Sequence, residues 1–216
     1  MRIDFVSDIA CPWCFIGLKG LVDAVERLRG TIAVEIHCQP FELNPDMPAG
    51  GELMADHLAR KFGPGRDLSS MTEALRGRAA EAGVDMPMGP EARVRNTFDA
   101  HRLLHWAEGP KQVALKLALF RTYFTENRDV GDHELLAGLA GEVGLDAGDA
   151  AAMLAEGRFT EEVRRDELLW RQRGINAVPA AVVEGRYLIS GGQPADAYEG
   201  ALRQIAGEQQ AVGAGA

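Results

Sequence analysis

The sequence predicts an α/β fold with a large all-helical domain inserted in its middle. Three observations predict it. Strand-like patterns occur only near the two ends, everything from Glu52 to about Arg173 carries helical spacing, and a proline-rich run separates the first strands from that block. The order is thus βαβ, helices, ββα. The ends, 1–45 and 174–208, are expected to form one discontinuous domain, with 46–173 as the insert and 209–216 as a flexible tail. Such an insert keeps connections short only if it leaves and returns at one sheet edge.

The elements follow in order. Ile3, Phe5 and Val6 read as a short buried strand, and Phe15, Leu18, Leu21, Val22, Val25 and Leu28 then recur at helical spacing. Between them stands Cys11-Pro12-Trp13-Cys14. Pro12 suits the first helical position, whose N–H is unpaired anyway, so the helix spans Pro12 to Arg29 with Cys11 as its N-cap and Gly30 as its stop. Thr31 to Cys38 alternates as a second strand. Helices are expected over Glu52 to Phe62, Met71 to Ala82, Thr97 to Trp106, Lys111 to Phe124, His133 to Val143, Ala147 to Ala155 and Thr160 to Arg173. Ser69 or Ser70, Asp132 and Thr160 are candidate caps, and Gly83, Gly144 and Gly157 candidate stops. Ala180 to Val183 and Tyr187 to Ile189 flank Glu184-Gly185-Arg186 as a hairpin in which Gly185 supplies the positive φ. A last helix carries Tyr198, Leu202 and Ile205 on one face.

Charge and cysteine usage narrow the function. A net charge of −9, with no block of Lys or Arg, disfavours nucleic acid or an anionic membrane as partner. No charged-then-apolar leader precedes the first strand and no run approaches the roughly 18 apolar residues of a membrane span, so a cytoplasmic location is expected. Three cysteines make no structural disulfide framework, because pairing two leaves Cys38 over. Zinc would need two more ligands. His37 and Cys38, adjacent on a strand, point to opposite faces, and His101 and His105 lie far away without the glutamate of a metalloprotease helix. Redox chemistry is the better reading of Cys-X-X-Cys, with no metal.

At the N-cap, the Cys11 sulfur faces free backbone N–H groups and the positive end of the helix dipole, which favours a thiolate. Cys14, one turn in, can close a disulfide with it while staying more shielded. In exchange, a thiolate attacks a disulfide sulfur, forms a mixed disulfide and is displaced by a resolving thiol. Cys11 is the candidate attacker and Cys14 the resolver.

Four stretches carry a resemblance across almost the whole chain: Ser7-Asp8-Ile-Ala-Cys11-Pro-Trp-Cys14, Pro40-Phe-Glu-Leu-Asn-Pro45, Asn96-Thr-Phe-Asp-Ala-His-Arg-Leu103, and Gly174-Ile-Asn-Ala-Val-Pro179 followed by Ser190-Gly-Gly-Gln-Pro194. In them the sequence resembles the DsbA-like thioredoxin-fold oxidoreductases, in particular their FrnE-like branch, which is related to 2-hydroxychromene-2-carboxylate isomerases. The resemblance implies a thioredoxin-like fold and a cis Pro179 facing the cysteines. An X-Pro bond costs only about 0.5–1 kcal/mol to hold cis. Beside such a proline the backbone of Val178 would be open to β-type pairing with an extended peptide. It also implies that the helix bearing Asn96, His101 and Arg102 lies near the active site. Trp13 departs from the pattern, since periplasmic DsbA enzymes usually carry His there; this implies a more moderate potential.

Each candidate has a plainer reading beside it. Trp13 either grips substrate or lids the core. Cys38 reads as a buried apolar residue before a third redox thiol, and Glu35 as a solvated strand residue before a proton acceptor. His101 reads as an ordinary helix histidine before a catalyst. Asp8 is a candidate to orient the motif loop, although a negative charge close to Cys11 would oppose its thiolate. The first functional reading is a thiol–disulfide oxidoreductase with protein or peptide partners, no resident cofactor, and glutathione or a thioredoxin system as redox partner. The second is a glutathione-dependent isomerase or transferase acting on a small aromatic substrate, whose relatives have Ser at the position of Cys11 and lack a second cysteine. A redox-regulated binding protein is the third, which catalytic turnover would exclude as the whole account.

Overall fold

The computed structural model describes residues 1–87 and 89–214. Strand β1 (Arg2–Ser7) leads into helix α1 (Pro12–Arg27) and strand β2 (Glu35–Pro40). The long block follows: β3 (Glu52–Leu53), α2 (Met54–Phe62), α3 (Ser69–Glu81), β4 (Arg93–Val94), α4 (Phe98–Trp106), α5 (Gly109–Phe124), α6 (His133–Glu142), α7 (Ala147–Ala155) and α8 (Thr160–Gln172). Strands β5 (Ala180–Val183) and β6 (Tyr187–Ser190) and helix α9 (Ala195–Ala214) complete the chain.

One four-stranded sheet, ordered β2-β1-β5-β6, joins the two ends. β1 runs parallel to β2 and antiparallel to β5, with Phe5 opposite Cys38 on one side and Ala181 on the other. This is the thioredoxin-like sheet that the resemblance implied. β1 is central, and its Ile3, Phe5 and Val6 are fully buried, as expected of a strand covered on both faces.

Some expectations needed correction. β2 starts at Glu35 rather than Thr31, because the Thr31 and Ile32 N–H groups and the Thr31 hydroxyl all bond back to Leu28 O and finish α1. It ends at Pro40, which has no N–H to donate further. The block is not wholly helical: Glu52–Leu53 pairs antiparallel with Arg93–Val94, a ladder too short for periodicity to show. Asp132 caps α6 as expected, accepting from the Glu134 and Leu135 N–H groups. The other proposed caps do not. Asp67 accepts from the N–H of Ser69 ahead of α3, and the Thr160 hydroxyl donates back to Gly157 O while left-handed Phe159 takes the N-cap position. In the β5–β6 turn Glu184 shares the positive φ with Gly185, at 53° and 64°. α9 continues to Ala214, with Gln209, Gln210 and Ala211 as good helix formers, where a flexible tail was expected; residues 215–216 lie outside the described residues.

Packing binds the block to the sheet. One core cluster combines Phe5, Phe15, Leu18, Leu21, Tyr198 and Leu202 from the two ends with Leu75, Ala79, Val84 and Phe120 from the block. Phe15 stacks on Phe120 at 5.1 Å between centroids, a contact worth about 0.5–1.5 kcal/mol beyond its buried area. A second cluster lies within α4–α7 and admits Ile9 from the loop that precedes α1.

Candidate active site

The site forms where β1 ends. The Cys11 N–H bonds to Asp8 O at 3.3 Å, closing a turn that aims the chain into α1. Cys11 is the N-cap in extended conformation and Pro12 the first helical residue, as the sequence predicts. Its side chain makes no capping hydrogen bond, however. The Sγ instead lies 3.7 Å from Val178 O as a long S–H···O contact. Both cysteines are thiols, Cys11 4% exposed and Cys14 fully buried. Burial, together with Cys11 alongside, pushes the Cys14 thiol well above its ordinary value, and only the nearby Lys116 charge among its side-chain neighbours pulls it back.

The outer wall comes from the last part of the chain. The Val178–Pro179 peptide is cis, Pro179 is buried and Val178 is half-buried. α1 meets this wall closely: a Cβ on Gly17 would lie 3.1 Å from Pro179 Cγ, and one on Gly192 2.8 Å from Trp13 O. Trp13 packs against the core while remaining half-exposed, and Pro12 is half-exposed beside it.

The inner wall is polar. Asp8 is 1% exposed, and its carboxylate accepts from Leu43 N (2.7 Å), Ala10 N (3.2 Å) and the Thr97 hydroxyl (2.9 Å), with His101 Nε2 3.5 Å away. Burial alone would raise Asp8, but the His101 contact and the two backbone N–H groups outweigh it and hold the carboxyl below its usual range. Burial pushes His101 down against the pull of Asp8. The pair is therefore a carboxylate and a neutral imidazole at neutral pH. Lys116 of α5 completes this wall, fully buried, with its Nζ 3.4 Å from Ser7 O.

Of the sequence candidates, the structure brings Asp8, Pro12, Trp13, Val178 and Pro179 to the cysteine pair, while His101 reaches it only through Asp8. Asn96 is elsewhere engaged: its amide donates to Met47 O at 2.7 Å and accepts from Phe98 N at 2.9 Å, stapling the loop after β2 to the start of α4. Arg102 turns away to the carbonyls of Met153, Leu154 and Arg158. Glu35 is exposed on the edge strand, so the proton-acceptor reading fails. Cys38 is buried and pushed up to about 11 by that burial. Thr97 and Lys116 escaped sequence reasoning. Lys116 stands three and four residues before Leu119 and Phe120, on the apolar face of its helix, and that placement was the available signal.

Alongside this sheet order and a dithiol at a helix N-terminus, the DSBA-like thioredoxin domain matches the chain over residues 2–203. The chain belongs to that family. Members of the DSBA-like family are oxidoreductases. The structure of a probable DsbA oxidoreductase, SCO1869 from Streptomyces coelicolor, is 35% identical with a TM-score of 0.85, covering 96% of this chain and 91% of that one. The uncharacterized protein YwbO of Bacillus subtilis (strain 168) is 28% identical, over 94% of this chain and 96% of its own. A 2-hydroxychromene-2-carboxylate isomerase shares the fold at 14% identity and a TM-score of 0.68, over 98% and 99% of the two chains. No helix among the described residues is long and apolar enough to cross a membrane.

Proposed function

We propose that this DSBA-like protein is a thiol–disulfide oxidoreductase of the FrnE-like branch that exchanges disulfides with protein or peptide substrates in the cytoplasm. Cys11 attacks and Cys14 resolves. The observation that carries this reading is the unequal placement of the two thiols in one helical turn. Cys11 Sγ lies at the outer wall, 3.7 Å from the carbonyl of half-exposed Val178, while Cys14 is sealed beneath it. A substrate sulfur can approach the first and only the first can approach the second, which is the order that attack and resolution require.

Val178 supports a peptide substrate, because its backbone borders the reacting sulfur and an extended strand could pair there. Glutathione or a thioredoxin system serves as redox partner, with no resident cofactor. Trp13 carries no charge toward the pair, which supports a potential more moderate than that of a periplasmic oxidase.

Reduction of insulin by the wild type and by Cys11→Ser, alongside a glutathione-dependent isomerisation of an aromatic substrate, tests the proposal. Insulin turnover that vanishes in the variant is the expected result. Isomerisation without disulfide turnover would move the protein to the isomerase chemistry and make Cys14 incidental.

A further inference from the structure

Helix α8 uses its arginines in two ways. Arg164 meets Glu42 and Glu167, and Arg165 meets Asp166. Arg171 and Arg173, at the other end, meet no carboxylate among the described residues, although both are exposed and the chain carries a net charge of −9. From Leu168 to Val183 the sequence holds these two arginines and no acidic residue. A cation suits the C-terminal end of a helix, but that accounts neither for the missing partners nor for how the two side chains lie.

Each guanidinium lies over an aromatic ring, Arg171 at 4.3 Å from the centroid of Phe41 and Arg173 at 5.0 Å from that of Trp170. Such stacking holds the charge in place and leaves the edge of the guanidinium open to an acceptor. The rings tie these charges to the reacting sulfur. Phe41 and Trp170 share one buried cluster with Val6, Ile175 and Ala180, and Val178, whose carbonyl is 3.7 Å from Cys11 Sγ, packs against it. A second route runs along the loop after β2. Arg171 Nη2 donates to Glu42 O at 2.9 Å, Leu43 N to Asp8 Oδ2 at 2.7 Å, and Cys11 N to Asp8 O at 3.3 Å. Leu43, next to Glu42, and Leu168, one turn before Arg171, are 39% and 55% exposed. Two guanidiniums without carboxylates and two open leucines complement a segment that carries carboxylates and apolar side chains.

We infer that Arg171 and Arg173 are specificity-determining residues that favour disulfides whose cysteine lies in an acidic, partly apolar peptide segment, laid from Val178 toward the end of α8. This rests on the oxidoreductase reading. An extended segment advances about 3.3 Å per residue, so carboxylates two to four residues from the cysteine stand about 7–13 Å from it. Glutathione shares the carboxylates but has no apolar side chain, so the surface as a whole fits a peptide better.

The test uses matched peptides, each with its cysteine joined to 2-mercaptoethanol as a mixed disulfide and flanked by leucine and by Glu, Gln or Lys. Reduced protein reacts with each in a single turnover, and the released peptide thiol is read by acid quench and mass. Cys11, having lost its proton, bonds the peptide sulfur and expels 2-mercaptoethanol, which takes up a proton. Cys14 then gives up its proton and closes the protein disulfide on Cys11, and the peptide thiol leaves protonated. The wild type should react roughly fivefold faster with the Glu peptide than with the Gln peptide at low ionic strength, a preference that shrinks with added salt. Arg171→Gln with Arg173→Gln should abolish it, and Arg171→Glu with Arg173→Glu should reverse it toward the Lys peptide. Arg173→Gln alone should roughly halve it; the Arg173 side chain makes no hydrogen bond among the described residues, so this variant keeps the test open if the double variants misfold. The readout is the ratio between peptides within one protein, which a general loss of activity does not move. Equal wild-type rates with the Glu and Gln peptides, or a preference kept in folded variants, overturn the role of the arginines. Reduction of glutathione disulfide that depends on them as strongly as that of the Glu peptide overturns the peptide segment as occupant. A wild type that reduces none of the peptides overturns the oxidoreductase reading itself.

Discussion

The two walls of the cysteine pair are built differently. The outer wall comes from the C-terminal part of the chain and offers backbone: the Val178 carbonyl, the ring of Pro179 and the glycine-lined contact with α1. The inner wall comes from the turn after β1 and from the helical block, and it offers polar side chains: the Asp8 carboxylate, His101 and the buried amine of Lys116. Under the proposed function, the outer wall would align a chain of unspecified sequence, since backbone pairing is indifferent to side chains. The other buries polar groups behind the turn that leads into Cys11. The helical block thus reaches the turn before Cys11 through Thr97, His101 and Lys116.

Substitutions can break either wall separately. The largest structural effect is expected from Asp8→Asn, because Asp8 gathers Leu43 N, Ala10 N and the Thr97 hydroxyl in one place. Loss of hydrogen bonds to a buried charge should destabilise the fold by roughly 3 kcal/mol, read from urea unfolding at neutral pH. The pH dependence sharpens this. A carboxyl held below its ordinary value of 3.8 stabilises the fold above that pH, and the contribution is lost as pH falls through the lowered value. The wild type should therefore lose stability on acidification where the variant's curve is flatter; parallel curves would mean that Asp8 is not the inner anchor.

Gly20→Ala probes the outer side. Its Cβ would stand 2.5 Å from Gln193 O, a backbone atom that must move, and with it the Ser190–Pro194 turn that seats Gly192 against Trp13. A cost of roughly 1–3 kcal/mol is expected, together with slower insulin turnover. The glutathione equilibrium of the pair should stay close to wild type, because no charge of the inner wall has changed. A clearly shifted equilibrium would show that the walls are not independent.

How much of this was legible in the sequence differs between the walls in the same way. Cys11, Pro12, Cys14 and the helix they begin follow from local rules, since an N-cap and a first-position proline act within one turn. The expected helices of the block match to within a few residues; α4 to α7 bury apolar stripes that periodicity reports, while α2 buries only His57. β2 slipped by four residues at its start because Thr31 and Ile32 close α1 through bonds to Leu28 instead of alternating in a strand. The β3–β4 ladder of Glu52–Leu53 and Arg93–Val94 could not be read, as two residues have no period. The inner wall was least legible. His101 and Asp8 stand 93 positions apart in numbering and meet only through packing, and Lys116 reads as a charged helix residue until its neighbours are known. Glu42, within a stretch that carried the family resemblance, is likewise buried, and that burial with the charge of Glu167 pushes it up to about 7 although Arg164 pairs with it.

The central claim is that Cys11 attacks and Cys14 resolves. It is tested most directly by incubating Cys14→Ser with a disulfide-containing peptide and locating the adduct by mass spectrometry under acid quench. The account predicts a stable mixed disulfide on Cys11, absent in the wild type because Cys14 resolves it. A peptide found on Cys38, or no adduct at all from a folded variant, would contradict it.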